Sequence, residues 1–221
     1  MISSLLLKVP STVEPQPMRD ALRAMRDVSL SGGLWLTCLA GITFGVVDVL
    51  APLRLNKLAA SAITISAAFL GAAAVEAAIS PLVGRFADRL GRRRPALVSL
   101  AGSAVLAPLL PTVSKAAVLV ALIVGGLWFA GTMFVPAAAM VSDGAERQGM
   151  AFGIGFGLTN LAWASGQGVA ALGAGAIAQA RPGLVPYLLL SMACAGTLLG
   201  VVVLKSGPER SRRRPPAKAG S

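Results

Sequence analysis

The sequence predicts an all-α membrane protein built from six transmembrane helices. Hydrophobic residues make up 55% of the chain and charged residues only 13%, whereas about 25% of a soluble domain is charged. The apolar residues form six windows, each long enough, at about 20 residues or more, for a helix to cross a bilayer. None of the windows alternates apolar and polar residues as a membrane strand would, so a helical bundle is expected.

The six windows follow one another with short polar connections. They are roughly Gly33–Pro52, Ala60–Leu82, Pro95–Val113, Ala116–Met140, Gly149–Ala178 and Leu184–Leu204. No lysine or arginine lies in any of them, and only Asp48 and Glu76 are acidic. We therefore assign residues 32–205 to one six-helix transmembrane domain.

The basic residues predict how the helices are oriented. Of the 20 lysines and arginines, four fall on one side of the membrane: Arg54, Lys57, Lys115 and Arg181. All the others fall on the opposite side. Because cytoplasmic loops carry an excess of Lys and Arg, both termini are predicted to be cytoplasmic. The net charge of +11 does not indicate a nucleic-acid partner, since the charges lie at the ends of apolar segments.

Two cytoplasmic segments flank the domain. In residues 1–31, the positions Met18, Leu22 and Met25 share a helical face beside arginines. This favours either a short amphipathic helix on the membrane surface or a solvated linker. Residues 206–221 are rich in proline and arginine, which is typical of a disordered tail.

The composition argues against an enzyme, a metal site and a cofactor. Histidine, the commonest metal ligand and general base, is absent. Cys38 and Cys194 each lie inside an apolar run, as small packing residues do, so neither a disulfide nor a redox pair is expected. We find no organised nucleophile–base set and no ATP-binding motif. The partner expected from composition is therefore the lipid bilayer.

A basic motif, GRFADRLGRRR at residues 84–94, follows the second window. Its five arginines cannot lie in hydrocarbon, so we expect a short cytoplasmic loop. The pattern resembles the signature loop of the major facilitator superfamily of secondary transporters. The matching positions are Gly84, Asp88, Arg89, Gly91, Arg92 and Arg93. The resemblance implies a conformational latch in which Asp88 ties this half to a helix of another half. The alternative is that the arginines only orient the protein.

The resemblance extends over about residues 30–205, which look like one six-helix half of such a transporter. Residues 160–168 are similar to the glycine-rich fifth helix of a half, although the Gly-Pro pair of that helix is missing. The proline-spaced segment before the first window resembles the central loop between halves, so we favour the C-terminal half. A complete transporter then requires a second six-helix half, supplied upstream, by a separate chain or by a second copy.

Two acidic residues inside the windows are candidates for coupling. A charged side chain in the membrane costs about 2.5–3.5 kcal/mol on insertion scales, so such acids usually face a cavity or a partner. Glu76 is predicted to carry a proton or to balance a cationic substrate, or else to pair with a basic residue of the cytoplasmic loops. Asp48 lies near the outer end of the first helix, where pairing with Arg54 is the alternative.

Three residues of the fifth window are candidates for lining a substrate cavity. Asn160 and Gln167 are seven positions apart, which is close to two helical turns, so they share a face. Trp163 lies between them. The amides suit either substrate contacts or hydrogen bonds between helices.

The resemblance implies secondary transport of a small molecule, ion-coupled, proton-coupled or facilitative, with efflux of a drug-like molecule as one option. The alternative is a truncated or non-transporting half-size membrane protein that acts in assembly or regulation. The richness in Ala, Gly and Arg favours a bacterial source, and therefore the bacterial plasma (inner) membrane.

Overall fold

A computed structural model describes residues 24–91, 93–180 and 183–206. Within these ranges every regular element is helical, as predicted. A short 3-10 helix, Ala107–Leu109, follows the third α-helix. The α-helices are α1 (Val28–Lys57), α2 (Ala62–Leu90), α3 (Arg93–Leu106), α4 (Ala116–Arg147), α5 (Phe152–Ala180) and α6 (Val185–Ser206). The predicted all-α fold with six helices is confirmed. The predicted surface helix before residue 24 and the predicted tail after residue 206 lie outside the described residues.

The third helix differs from its prediction. Five of the helices in the described ranges are long and apolar enough to cross a membrane, and α3, with 14 residues, is not among them. The single span predicted over Pro95–Val113 is interrupted at Pro108, which has no N–H to donate to the carbonyl of Ala104. The hydroxyl of Ser191 on α6 donates to that carbonyl instead, at 2.6 Å. The carbonyl that the break in α3 leaves without a backbone donor is therefore hydrogen-bonded by the neighbouring helix α6.

The core of the bundle is built around α1 and α4. In the most apolar window of α1, 67% of the residues are buried, against 44% in α4 and 11% in both α2 and α5. Leu39, Leu55, Ile123 and Met133 are among the fully buried side chains of the two central helices. In this half alone, α2 and α5 therefore leave most of their surface uncovered.

An ion pair joins the start of α1 to the end of α4. The carboxylate of Asp27 caps α1 by accepting from the N–H groups of Ser29 and Leu30, each at 2.9 Å. It also pairs with the guanidinium of Arg147 at 3.0 Å. The hydrogen bond from Arg147 and the two backbone bonds lower the pKa of Asp27 to about 2. The carboxylate thus stays charged where the two central helices meet.

Candidate functional site

Helices α1 and α5 approach closely enough for their backbones to touch. A Cβ atom added at Gly41 would collide with the carbonyl of Trp163, and one at Gly45 with the carbonyl of Gln167. In the other direction, a Cβ atom at Gly166 would collide with the backbone of α1. Small residues at such interfaces let membrane helices pack by direct backbone contact. We call this contact the glycine seam.

The seam brings Asp48 and Gln167 together. The Gln167 side-chain amide donates to the Asp48 carboxylate, with 3.1 Å between Nε2 and Oδ2. Two residues that the sequence analysis selected separately thus form one polar pair between α1 and α5. The alternative partner considered for Asp48, Arg54, donates to the carbonyl of Val113 at 3.2 Å instead.

Trp163 lies one turn along α5 from Gln167 and joins three helices. Its ring lies 4.9 Å from Phe44 of α1 and 5.6 Å from Phe134 of α4, the latter edge-on. Tilted and edge-on pairs at such distances are favourable. The sequence analysis missed both phenylalanines. Phe44 could have been found, because it lies four residues before Asp48 and therefore on the same face of α1.

Asn160 does not reach α1. Its side-chain amide donates to the carbonyl of Phe156 in its own helix at 3.0 Å, and the residue is exposed. Of the three candidates on α5, the structure brings Trp163 and Gln167 into the contact between helices and leaves Asn160 outside it. The role of each residue in transport stays a prediction.

Glu76 lies at a different contact, between α2 and α4. Its carboxylate packs directly against the backbone of Gly131, where an added Cβ atom would collide with it. The side chain is half-buried. Among the described residues no cation and no hydrogen-bond donor is recorded for the carboxylate; its nearest recorded hydrogen bond is the one from the Ser80 hydroxyl to the Glu76 backbone carbonyl, at 2.7 Å. The pairing alternative is therefore not seen in the part of the chain described.

A cavity of about 540 Å³ lies between the C-terminal half of α4 and the N-terminal part of α5. Phe134, which touches Trp163, lines it together with Phe156 and Met150. Glu146 is the acidic residue in this largely apolar lining. The aromatic cluster around Trp163 is thus continuous with the wall of the cavity. The sequence analysis missed this cavity, because it arises where two apolar helices diverge.

The signature motif is mostly helical, which corrects the expected loop. Helix α2 continues through Leu90, and α3 begins at Arg93. The turn is made at Gly91, whose φ of 79° lies in the region that favours glycine. Arg85 and Arg89 are exposed, so the charged end of α2 can extend beyond the hydrocarbon as a helix.

The other positions of the motif have different surroundings. Arg93 donates to the carbonyl of Val201 on α6 at 2.9 Å, so it links two helices besides any orienting role. A Cβ atom at Gly84 would meet nothing within 4 Å, and no close helix approach depends on this glycine in the described chain. The Asp88 side chain and residue Arg92 lie outside the described part.

Comparison with known families identifies the chain. The family model of the Major Facilitator Superfamily matches residues 33–221. A comparison with curated proteins found no match. The chain belongs to the Major Facilitator Superfamily, a family of membrane transporters, and its helices correspond to one six-helix half. The resemblance predicted from the signature motif is confirmed.

Proposed function

We propose that this major facilitator chain forms one half of a proton-coupled secondary transporter that exports a small apolar cation. The family supports membrane transport, and the substrate, the coupling and the direction are our proposal. In transporters of this architecture the substrate site lies near the bilayer midplane between two halves. The observation that carries the proposal is the position of Glu76.

Glu76 is a carboxylate held inside a membrane-spanning helix against the backbone of another helix. Next to Gly131 it has neither a cation nor a hydrogen-bond donor among the described residues. An anion left in this place is costly, and binding a proton removes the charge. Because α2 and α4 are different helices, a change in their contact would change the surroundings of the carboxylate. Proton binding at Glu76 would thereby be coupled to helix movement.

The substrate class follows from the cavity between α4 and α5. Its volume of about 540 Å³ suits a small organic molecule. Phe134 and Phe156 present aromatic rings, and Glu146 supplies a negative charge. Aromatic faces and a carboxylate together attract an apolar cation. This supports a drug-like cation over an anionic nutrient as the substrate.

The second six-helix half would cover α2 and α5. These helices are apolar, yet 11% of the residues in the best window of each are buried. A second half packed there would enclose the cavity and the Asp48–Gln167 pair. It could be supplied upstream in the same polypeptide, by a separate chain or by a second copy of this one.

The test uses inside-out membrane vesicles from bacteria that express the full chain, with ethidium as a fluorescent apolar cation. We expect wild-type vesicles to accumulate ethidium when a proton gradient is imposed. Glu76→Gln should reduce the initial rate about tenfold or more, because the amide cannot carry a proton. Glu76→Asp should retain part of the rate.

Glu209→Gln, a matched carboxylate-to-amide change in the tail, is the control and should transport like the wild type. A wild-type rate in the Glu76→Gln vesicles would contradict the coupling role of Glu76. Vesicles from the protein's own cells contain any separate second half, and if the unchanged protein moves no ethidium in them, the export proposal is contradicted and a non-transporting role in assembly or regulation is favoured.

A further inference from the structure

A second cavity of about 540 Å³ lies at the other end of α5. It forms where α1 and α5 end and α6 begins. Its polar lining consists of Arg54, Lys57, Gln179 and Tyr187, and no aspartate or glutamate is found among its lining residues in the described chain. The cavity is therefore a cationic site, separate from the one near Glu146.

Arg54 lines this cavity and has one buried donor without a partner among the described residues. Its Nη2 atom donates to the carbonyl of Val113 at 3.2 Å. Its Nε–H is buried and has no hydrogen-bond partner within the described residues. The positive charge of Arg54 interacts favourably with the partial negative charge at the end of α1, but this interaction gives the buried N–H no hydrogen-bond acceptor. Buried donors without a partner are rare and costly. This Nε–H is itself enclosed, so a ligand in the cavity would bind the guanidinium through its terminal N–H groups.

Tyr187 provides a second unused donor. Its side chain is 5% exposed and lines the cavity, and no hydrogen bond to its hydroxyl is recorded among the described residues. It lies in the first turn of α6, where the N–H of Leu188 donates to the carbonyl of Leu184. The start of this 22-residue helix carries partial positive charge, whereas α1 and α5 reach the cavity with their C-terminal ends. The positive charge of the site therefore comes from Arg54, Lys57 and the start of α6.

We infer that this cavity binds a phosphate group, carried by either an anionic lipid or a soluble phosphate ester. A guanidinium presents planar N–H groups that match phosphate oxygens, and Lys57 adds a second positive charge. The Tyr187 hydroxyl adds a neutral donor to the same lining, which suits the several oxygens of a phosphate. Leu50 and Leu53 also line the cavity and would contact the apolar part of an amphiphilic ligand.

The experiment measures thermal unfolding of the full chain in neutral detergent. One titration adds sodium phosphate, with sodium chloride at equal ionic strength as reference. The other adds dioleoylphosphatidylglycerol, with dioleoylglycerol, which lacks the phosphate, as reference. A ligand that binds the folded state raises the midpoint. We expect the phosphate-bearing additive to raise it more than its reference does.

Two variants locate the binding. Tyr187→Phe removes one hydroxyl, and Lys57→Gln removes one exposed charge. Each should weaken the apparent affinity about tenfold, as expected for a lost hydrogen bond to a charged group. Lys115→Gln is the matched control, because Lys115 is an exposed lysine that does not line the cavity. This variant should bind like the wild type.

The two titrations distinguish the source of the phosphate. A response to phosphatidylglycerol alone identifies a lipid site, and a response to inorganic phosphate identifies a site open to soluble esters. The inference is overturned if neither additive raises the wild-type midpoint above its reference. It is also overturned if both Tyr187→Phe and Lys57→Gln respond as fully as the wild type.

Discussion

Helices α1 and α2 have almost the same hydropathy and opposite environments. The mean hydropathy of the best window is 1.9 in α1 and 1.8 in α2, whereas 67% and 11% of the residues in those windows are buried. Hydropathy measures the preference for lipid over water, and a helix surrounded by protein satisfies it as well as one surrounded by lipid. It therefore identifies a spanning helix without giving its place in the bundle.

The glycines explain the difference between the two helices. Gly33 of α1 faces the backbone of α4, and Gly41 and Gly45 face the backbone of α5. A Cβ atom at Gly71 of α2 would meet nothing within 4 Å. In α1 glycine serves close packing on two sides, and in α2 it serves no such contact in the described chain. The central position of α1 depends on these contacts.

The largest effect is expected from adding a methyl group to the glycine seam. Gly45→Ala would force the carbonyl of Gln167 away and should destabilise the fold by about 1–3 kcal/mol. Gly71→Ala, the matched change in α2, should be neutral or stabilising by up to about 1 kcal/mol. The measurement is the temperature at which Cys194, which is 0% exposed, becomes reactive to a maleimide. Equal midpoints for the two variants would show that glycine is no more important for packing in α1 than in α2.

The second prediction concerns what covers α2. In a background with Cys38 and Cys194 replaced by alanine, Leu70→Cys on α2 and Leu199→Cys on α6 each place a thiol on an exposed position, since these leucines are 72% and 62% exposed. If a second copy of this chain supplies the half that packs on α2, a short bifunctional maleimide in native membranes should cross-link the Leu70→Cys thiols of the two copies.

The α6 position serves as the reference for this experiment, because the proposed second half covers α2 and α5 and leaves α6 to lipid. Most of the Leu70→Cys protein should shift to a larger size on a denaturing gel, and Leu199→Cys should stay at the size of a single chain. Equal cross-linking at both positions would argue for random collision and against a specific interface.

A smaller effect is expected for the polar pair that spans the seam. A double-mutant cycle of Asp48→Ala and Gln167→Leu should give a coupling energy of about 0.6 kcal/mol, the average for side-chain hydrogen bonds between membrane helices. The stability is measured by the same maleimide assay. Asn160→Leu is the matched control, because Asn160 bonds within its own helix, and its cycle with Asp48→Ala should give no coupling.

The smallest effect is expected at the start of α1, and it depends on pH. The pKa of Asp27 is about 2 in the folded chain, below its ordinary value of 3.8. The unfolded state therefore binds the proton more readily, and the stabilisation is present above pH 3.8 and lost as the pH falls toward 2. Asp27→Asn should lower the unfolding midpoint by a few degrees at neutral pH and less in acid.

Ser61→Ala provides the comparison from α2. The Ser61 hydroxyl caps α2 by accepting from the Thr64 N–H at 3.2 Å, and it does not titrate. Removing this hydroxyl should lower the unfolding midpoint by the same amount from pH 2 to pH 7. If Asp27→Asn also lowers the unfolding midpoint by the same amount at every pH, the Arg147 contact does not stabilise the charged carboxylate.

The sequence was sufficient to predict the fold class, the number of helices and the family. It failed where apolar content was misleading. The window at 95–113 is apolar throughout, but Pro108 interrupts its helix, and proline geometry is independent of hydropathy. In the same way α2 continues through the charged residues up to Leu90, because a helix does not end where the hydrocarbon ends.

The polar residues of the candidate site could be predicted from the sequence, but the residues that they contact could not. Asp48, Glu76 and Gln167 stand out because polar side chains are rare in apolar helices. Their neighbours depend on which helices touch, which no single helix encodes. Glu76 meets Gly131, and a glycine in an apolar helix gives no sign of the side chain that packs on it.

The glycine seam also has a mechanical consequence. Backbone contacts at Gly41, Gly45 and Gly166 interlock α1 with α5 over several turns, so neither helix can slide or tilt without the other. The contact between α4 and α5 is more open, because the cavity near Glu146 lies between them beside the ring contact of Phe134 and Trp163. A movement that changes the access to the cavity near Glu146 would move α1 and α5 together as one rigid unit. It would strain the ring contact between Trp163 and Phe134.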